Sequence, residues 1–134
     1  MVIEDNPADA NLIREAFQEH AIRCELVMVP NGERAVEFID RIDAAGLPGP
    51  GLIILDLNLP RVHGRDVLRH IRSSKCCELT PIIVLTSSRS HQDRNEALAL
   101  GASQYLSKPL RLLEFLELGA IFKATLNTPP AGIQ

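Results

Sequence analysis

Five short apolar runs, each followed by a turn and a helical pattern, constrain the fold of this chain most strongly. The runs cover residues 1–3, 26–29, 52–55, 82–85 and 105–106. The middle runs are continuous rather than alternating, which is typical of parallel strands buried on both faces. Strands that alternate with helices in this way predict an α/β fold with a parallel sheet and right-handed crossover connections.

The segments between the runs carry helix-start signals. Asn6 followed by Pro7 predicts a capped start for the first helix. Asn31 precedes the second helix, and Ser90 with Asp93 forms a pair resembling a capping box before the fourth. The third helix is predicted around its apolar residues near position 70, and the fifth runs from about residue 110 to residue 124.

The length of 134 residues suits one compact domain with one core. We expect this domain to cover residues 1–126, followed by a mobile C-terminal tail over residues 127–134, which is rich in proline. Charges of both signs are interspersed and sum to −3, which is not the pattern of a nucleic-acid-binding surface. No signal peptide is visible, and the apolar runs fall far short of the ~20 residues of a membrane helix. The three cysteines have neither zinc-site nor disulfide-framework spacing. The sequence therefore predicts a cytoplasmic protein without nucleic-acid or membrane partners.

Polar residues that could take part in metal binding or catalysis lie at the ends of four predicted strands. Glu4 and Asp5 follow the first strand, Asp56 the third, Thr86 the fourth and Lys108 the fifth. The carboxyl ends of parallel strands meet at one edge of a sheet, where ligands bind. We therefore expect three carboxylates to lie together, facing a hydroxyl group and an ammonium group.

Such a cluster predicts a metal ion and phosphoryl chemistry. Three carboxylates at close range repel one another, so the cluster needs a cation, and its oxygen ligands suit Mg²⁺. With Mg²⁺ present, Asp56 becomes a carboxylate nucleophile able to accept a phosphoryl group. Lys108 then pairs with one phosphate oxygen and Thr86 donates its hydroxyl to another. The pattern predicts phosphorylation of Asp56, with these three residues as the catalytic groups.

These motifs make the sequence resemble a CheY-like receiver domain of the response regulators of two-component systems. The resemblance covers nearly the whole chain and rests on residues 3–7, 54–60 with Gly64, 83–87, 101–102 and 107–109. It implies a flavodoxin-like three-layer α/β/α sandwich with a five-stranded parallel sheet of order 2-1-3-4-5. The opening Glu-Asp-Asn-Pro-Ala-Asp and the later segment Leu-Pro-Arg-x-x-Gly further resemble the branch that works with bacterial and cyanobacterial phytochromes.

The resemblance also implies a role for each residue of the metal site. Glu4 and Asp5 hold Mg²⁺, with Asp5 as the direct ligand. Asp56 is both a ligand and the phosphoacceptor. The backbone carbonyl of Asn58 is a further ligand.

The same resemblance implies a switch. Thr86 and Lys108 read the phosphate, and Thr86 moves together with Tyr105, the rotating aromatic residue. It further implies a cis peptide bond between Lys108 and Pro109. The expected partners are a sensor histidine kinase or phosphotransferase that carries the phosphohistidine.

The fifth helix carries more apolar residues than one buried stripe requires. The surplus, in which we count Leu118 and Phe122, predicts a homodimer through the face formed by helix 4, strand 5 and helix 5.

Three alternative classes remain to be weighed against a phosphoacceptor switch that is not a turnover enzyme. A phosphatase of the dehalogenase-like class also uses an aspartate nucleophile, but it needs a second aspartate where this chain has Asn58. A flavodoxin-type binding domain needs a phosphate-cradling loop after strand 1, where this chain is acidic. A receiver used only as a scaffold is disfavoured by the intact acidic set with Thr86 and Lys108.

Overall fold

A five-stranded parallel sheet with helices on both faces forms the framework of residues 1–128, which the computed structural model describes. Strands and helices alternate along the chain: β1 (Val2–Ile3), α1 (Pro7–Glu19), β2 (Met28–Val29), α2 (Gly32–Ala44), β3 (Ile53–Leu55), α3 (Gly64–Ser73), β4 (Ile82–Thr86), α4 (His91–Ala99), β5 (Gln104–Ser107) and α5 (Leu112–Asn127). The strand order is β2-β1-β3-β4-β5, which confirms the predicted topology. Within residues 1–128, no helix has the length and apolar character needed to cross a membrane.

Alternate residues of the strands supply two separate hydrophobic cores, one on each face of the sheet. Leu55 and Val84 point into the core that α2 and α3 cover. Their neighbours Ile54 and Ile83 point into the opposite core, which α1 and α5 cover. Because successive strand side chains point to opposite faces, the continuous apolar runs bury both sides of the sheet. This arrangement is the predicted three-layer α/β/α sandwich.

The predicted helix starts are confirmed. Asn6 caps α1, and its side-chain oxygen accepts hydrogen bonds from the backbone amides of Ala8 and Asp9 at 2.9 and 3.3 Å. Asn31 caps α2 in the same way. The Ser90 hydroxyl caps α4 by accepting from the third backbone amide of its first turn. Each cap satisfies amide groups that have no partner within the helix.

The predictions for α5 need correction. The helix begins at Leu112 rather than near residue 110, and it continues to Asn127, beyond residue 124. Leu118 and Phe122 are not an exposed surplus; both are buried, because α5 packs closely against α1. The rings of Phe122 and Phe17 are 5.5 Å apart at their centroids. Of the predicted mobile tail, residues 129–134 lie outside the described part of the chain.

The leucines that remain exposed on this part of the chain lie before α5 and in its first turn. Leu110 and Leu113 are 94% and 74% exposed, and Leu112 is also largely exposed. These three leucines follow the carboxyl end of β5, the same edge of the sheet as the predicted site. The exposed apolar surface therefore lies at the start of α5, and not around Leu118 and Phe122 as the sequence predicted.

The C-terminal end of helix α4 is tied to α3. Its buried side chain is Ala97, and Gly101, just beyond the helix, has a positive φ of +109° that favours glycine. The Arg72 guanidinium of α3 donates hydrogen bonds to the carbonyl of Gly101 and to the carbonyls of Cys77 and Glu78. Arg72 therefore ties the end of α4 to the segment after α3.

Candidate functional site

The pairing of the strands sets the predicted site residues side by side. The backbone amide of Asp56 donates to the carbonyl of Ile3 at 3.0 Å, so Asp56 lies next to Glu4 at the end of β1. The amide of Lys108 donates to the carbonyl of Thr86 at 2.8 Å. The parallel register, rather than any single loop, therefore brings these side chains to one edge of the sheet.

Three carboxylates form a compact cluster at this edge. Glu4, Asp5 and Asp56 each offer one oxygen, and these oxygens lie within 4.8 Å of one another. Glu4 and Asp56 are buried, whereas Asp5 is exposed to solvent. A half-open set of hard oxygen ligands suits Mg²⁺, which retains several waters when bound. The residues present therefore fit a divalent cation.

The Lys108 ammonium group lies among carboxylates from three different segments of the chain. Its Nζ is 2.6 Å from Oε1 of Glu4, 2.9 Å from Oδ2 of Asp56 and 2.8 Å from Oδ2 of Asp9. The Lys108 side chain is 9% exposed. An ammonium group has three donors, so every donor of Lys108 has a carboxylate partner.

Asp9 is the one residue of this arrangement that the sequence interpretation gave no role. It lies in the first turn of α1, three residues after the capping Asn6. The available signal was its position in the helix that begins at the same edge of the sheet. However, the direction of its side chain depends on how α1 packs, and the sequence pattern does not specify that.

Burial and mutual contact shift the ionisation of the cluster. Burial raises the pKa of Glu4 to about 7, against the opposing effect of its bond with Lys108. Burial also acts to raise the pKa of Asp56, but hydrogen bonds from Lys108 and from the Asn58 amide outweigh it and hold that pKa below its ordinary value. Burial acts to lower the pKa of Lys108, but its bonds with Asp9 and the other carboxylates raise it overall. The group at Asp56 is therefore an ionised carboxylate, as a nucleophile must be.

The remaining predicted residues surround Asp56. The backbone amide of Asn58 donates to Oδ1 of Asp56 at 3.0 Å, and its side-chain amide donates to the Thr86 hydroxyl at 3.3 Å. The Thr86 side chain is fully buried. Tyr105 is half-buried, and its hydroxyl donates to the carbonyl of Ser88 rather than to any group of the acidic cluster.

The Lys108–Pro109 peptide bond is trans, so the expected cis bond is wrong for this structure. A trans bond before proline is favoured by about 0.5–1 kcal/mol. In this conformation the Lys108 ammonium already reaches all three carboxylates, so the contact needs no cis bond.

A family profile described as response regulator receiver domain matches residues 1–118. The chain belongs to this family. The match includes all the acidic residues of the cluster, Thr86 and Lys108, and it ends within α5. Receiver domains of this family are the phosphorylation-dependent switches of two-component systems, so the family resemblance inferred from the motifs is confirmed.

Several relatives place this receiver domain near phytochrome response regulators. The chain is 32% identical to response regulator Rcp1 of Synechocystis over 119 residues, which cover 88% of this chain and 81% of Rcp1. The crystal structure of the Mn²⁺-bound form of Rcp1 superposes with a TM-score of 0.83, covering 96% of this chain and 94% of the other. The crystal structure of the phosphorylated cyanobacterial phytochrome response regulator RcpA superposes with a TM-score of 0.86 at 31% identity. The match covers 98% of this chain and 96% of RcpA.

A third structure documents a magnesium ion in a similar receiver domain. It is the receiver domain of the sensor histidine kinase PA1611 from Pseudomonas aeruginosa, with Mg²⁺ coordinated in its active-site cleft. Its TM-score is 0.74 at 28% identity, and the match covers 95% of each chain.

Proposed function

We propose that this receiver domain accepts a phosphoryl group on Asp56 from the phosphohistidine of a sensor histidine kinase or phosphotransferase. The observation that carries the proposal is the buried Asp56 carboxylate, which Lys108 contacts within a cluster that includes Glu4 and Asp5. Mg²⁺ is the cation that this donor set fits, and Glu4, Asp5, Asp56 and the carbonyl of Asn58 are its proposed ligands.

The transfer exchanges one bond for another at phosphorus. The phosphorus–nitrogen bond of the phosphohistidine breaks while a phosphorus–oxygen bond forms to the Asp56 carboxylate. The imidazole leaves with the electron pair of the broken bond and takes up a proton. When bound, Mg²⁺ supplies positive charge to the phosphoryl oxygens. Lys108 supplies a second positive charge, and Thr86 donates its hydroxyl to a phosphoryl oxygen.

The site supports a switch better than a turnover phosphatase. A dehalogenase-like phosphatase uses an aspartic acid two residues after its nucleophile as a general acid, and here Asn58 holds that position. An amide has no proton to supply at neutral pH. Loss of the phosphoryl group then depends on water attack at phosphorus, which regenerates the Asp56 carboxylate and inorganic phosphate.

The test is to weigh the intact protein after incubation with phosphoramidate and Mg²⁺. One phosphoryl group should be added to the wild type, and none to Asp56→Asn or to protein treated with a chelator. The matched control is Asp66→Asn, which changes an exposed aspartate of α3 and should be labelled like the wild type. A phosphoryl group that remains on Asp56→Asn would show that another residue is the acceptor.

We further propose that Thr86 and Tyr105 carry the phosphorylated state to the surface, as the switch pair. After phosphorylation the Thr86 hydroxyl turns from Asn58 toward a phosphoryl oxygen, and Tyr105 occupies the vacated space. Two hydrogen bonds support this pair. The Thr86 hydroxyl accepts from the side chain of Asn58, two residues after Asp56, and the Tyr105 hydroxyl donates to Ser88 in the loop between β4 and α4. Structures with and without a phosphate mimic test the pair, and an identical Tyr105 rotamer in both would exclude it.

The face of α4, β5 and α5 is our proposed homodimer surface. A groove of about 640 Å³ lies between the start of β5 and the C-terminal half of α5. Its lining includes Gln104 and Ile121, together with Arg72 of α3 and residues 78–81 before β4. β5 is also the last strand of the sheet, so its outer edge has no neighbouring strand within residues 1–128. A second copy of the chain would cover both features symmetrically.

Light scattering with a substitution in this groove tests the dimer. Ala124 is exposed and lines the groove, so Ala124→Glu places two like charges across the twofold axis and should yield a monomer. Ala44→Glu makes the same change on an exposed helical residue of α2 and should leave the dimer intact. A wild-type monomer at high concentration, with and without phosphate mimic, would refute this surface.

A further inference from the structure

The carboxylate of Asp9 contacts Lys108 but takes no part in the metal cluster. Its Oδ2 accepts a hydrogen bond from Nζ of Lys108 at 2.8 Å, across 99 positions of sequence. The metal cluster consists of Glu4, Asp5 and Asp56. Lys108 therefore has two partners that belong to the metal cluster and one that does not.

This difference decides what happens to Lys108 when a cation is bound. A divalent cation in the cluster would draw on the carboxylates of Glu4 and Asp56 that the Lys108 ammonium also contacts, and the cation and the ammonium would repel each other at such short range. The contact with Asp9 is unaffected by that competition, because Asp9 supplies no oxygen to the cluster. Asp9 would thus be the partner that Lys108 retains in a metal-loaded site.

The position of Asp9 suits this task. Its side chain is 24% exposed, whereas those of Glu4 and Asp56 are 2% and 5% exposed. It lies in the first turn of α1, where the helix dipole favours a negative charge. A carboxylate there would be favourable even without Lys108. However, the Asp9 carboxylate does not simply point into solvent. It contacts the buried ammonium group of Lys108, in the loop after β5.

We propose that Asp9 is a positioning residue for phosphoryl transfer: it holds the Lys108 ammonium beside Asp56 while a cation occupies the acidic cluster. This role rests on the proposed function. It predicts that the loss of Asp9 frees Lys108 to compete more strongly for Glu4 and Asp56. Removal of a negative charge and stronger competition both weaken Mg²⁺ binding, so the two effects have the same sign.

The first measurement follows Lys108 itself. The chain has three lysines, Lys75, Lys108 and Lys123, so a protein labelled with ¹⁵N at the lysine side chains gives few ammonium signals. The Lys108 signal should be protected from hydrogen exchange in the wild type, and should remain so when Mg²⁺ is added. In Asp9→Asn the hydrogens of the Lys108 ammonium group should exchange faster with solvent, and the increase should be largest when Mg²⁺ is present.

The second measurement is the Mg²⁺ affinity by calorimetry. Asp9→Asn should bind Mg²⁺ on the order of fivefold more weakly, the effect of one partly exposed ion pair. Asp66→Asn removes the same charge from the first turn of α3 and should bind like the wild type. Asp9→Glu restores the carboxylate and should recover both the Lys108 signal and most of the affinity.

A double-mutant cycle separates positioning from simple charge. In a Lys108→Met background, Asp9 has no ammonium to hold, so Asp9→Asn should weaken Mg²⁺ binding less than it does in the wild type. An equal loss in both backgrounds, or an unchanged Lys108 signal in Asp9→Asn, would overturn the role.

Failure of this role and failure of the proposed function are distinguishable. If Asp9→Asn leaves Lys108 and Mg²⁺ binding unchanged while Asp56 of the wild type still takes up a phosphoryl group, the positioning role is wrong and the proposed function stands. If the wild type takes up no phosphoryl group, the proposed function fails, whatever Lys108 does.

Discussion

The Tyr105 hydroxyl donates a hydrogen bond of 3.0 Å to the backbone carbonyl of Ser88. Ser88 lies in the loop between β4 and α4, directly after Thr86 and Ser87. The half-buried ring of Tyr105 is therefore hydrogen-bonded to the loop that follows Thr86, the proposed phosphate-binding residue. A shift of this loop would act directly on Tyr105.

Tyr105→Phe should loosen this loop while keeping the ring. The substitution removes one hydrogen bond and should cost about 1 kcal/mol in the free energy of unfolding. Backbone amides of residues 87–90 should exchange faster by hydrogen-exchange mass spectrometry. Ser107→Ala is the control, because it removes the second donor to the same carbonyl and leaves the tyrosine bond in place. Unchanged exchange in Tyr105→Phe would mean that the bond does not fasten the loop.

Lys108→Met should strengthen Mg²⁺ binding while weakening the response to phosphate. The ammonium group competes directly for Glu4 and Asp56, so its removal should increase Mg²⁺ affinity, by up to about tenfold. Methionine keeps most of the buried aliphatic chain. The shift in backbone NMR signals caused by a phosphate mimic should shrink, because one of its positive contacts is gone. A collapse of Mg²⁺ binding in this variant would contradict the arrangement.

The metal-free protein should lose stability as the pH rises toward neutrality. Burial raises the pKa of Glu4 from 4.5 to about 7, so the folded state binds this proton more tightly than the unfolded state does. The stability due to this group is therefore present below pH 4.5 and lost between there and about pH 7, with an upper bound of about 3 kcal/mol. Denaturation in the presence of a chelator measures it, and Glu4→Gln should flatten the profile over the same range. A stability that rises across this range in the wild type, relative to Glu4→Gln, would have the wrong sign.

Gly64→Ala should destabilise the fold markedly. A Cβ at Gly64 would lie 2.4 Å from the Cα of Leu57 and 2.6 Å from its carbonyl oxygen, which are backbone atoms that have no room to move aside. Overpacking of this kind costs about 1–3 kcal/mol. Gly51→Ala is the matched control, since its Cβ would meet no atom closer than 3.8 Å. Equal midpoints of denaturation for the two variants would rule out the close approach.

The features predicted well from the sequence are those that local chemistry determines. The caps at Asn6 and Ser90 depend on one side chain and the amides next to it, and both formed as expected. The acidic cluster depends on strand ends that meet at one edge, and parallel pairing delivers Glu4 beside Asp56. The strand order itself was chosen with the help of the family resemblance, because the pattern of runs alone leaves it open.

The features that were missed depend on packing between distant helices. Leu118 and Phe122 fall on the face of α5 that α1 covers, and helical periodicity cannot say which apolar stripe meets which neighbour. Asp9 turns toward Lys108 because α1 lies beside the loop after β5. Both facts require the relative placement of segments about a hundred residues apart, and no local pattern encodes that placement.

The bonds made by Arg72 have a mechanical consequence for α4. Ala97 is the buried side chain of α4, and Arg72 binds the carbonyl of Gly101 just after the helix. The other end of α4 joins the loop that Tyr105 contacts. Because Arg72 holds the C-terminal end, a movement of the loop at the other end would tilt the helix about Gly101. The displacement is then largest at the edge of the sheet where the phosphoryl group would be bound, and it falls toward zero at Gly101. A change of an ångström at Thr86 would in this way tilt the surface of α4 without breaking the core on either face of the sheet.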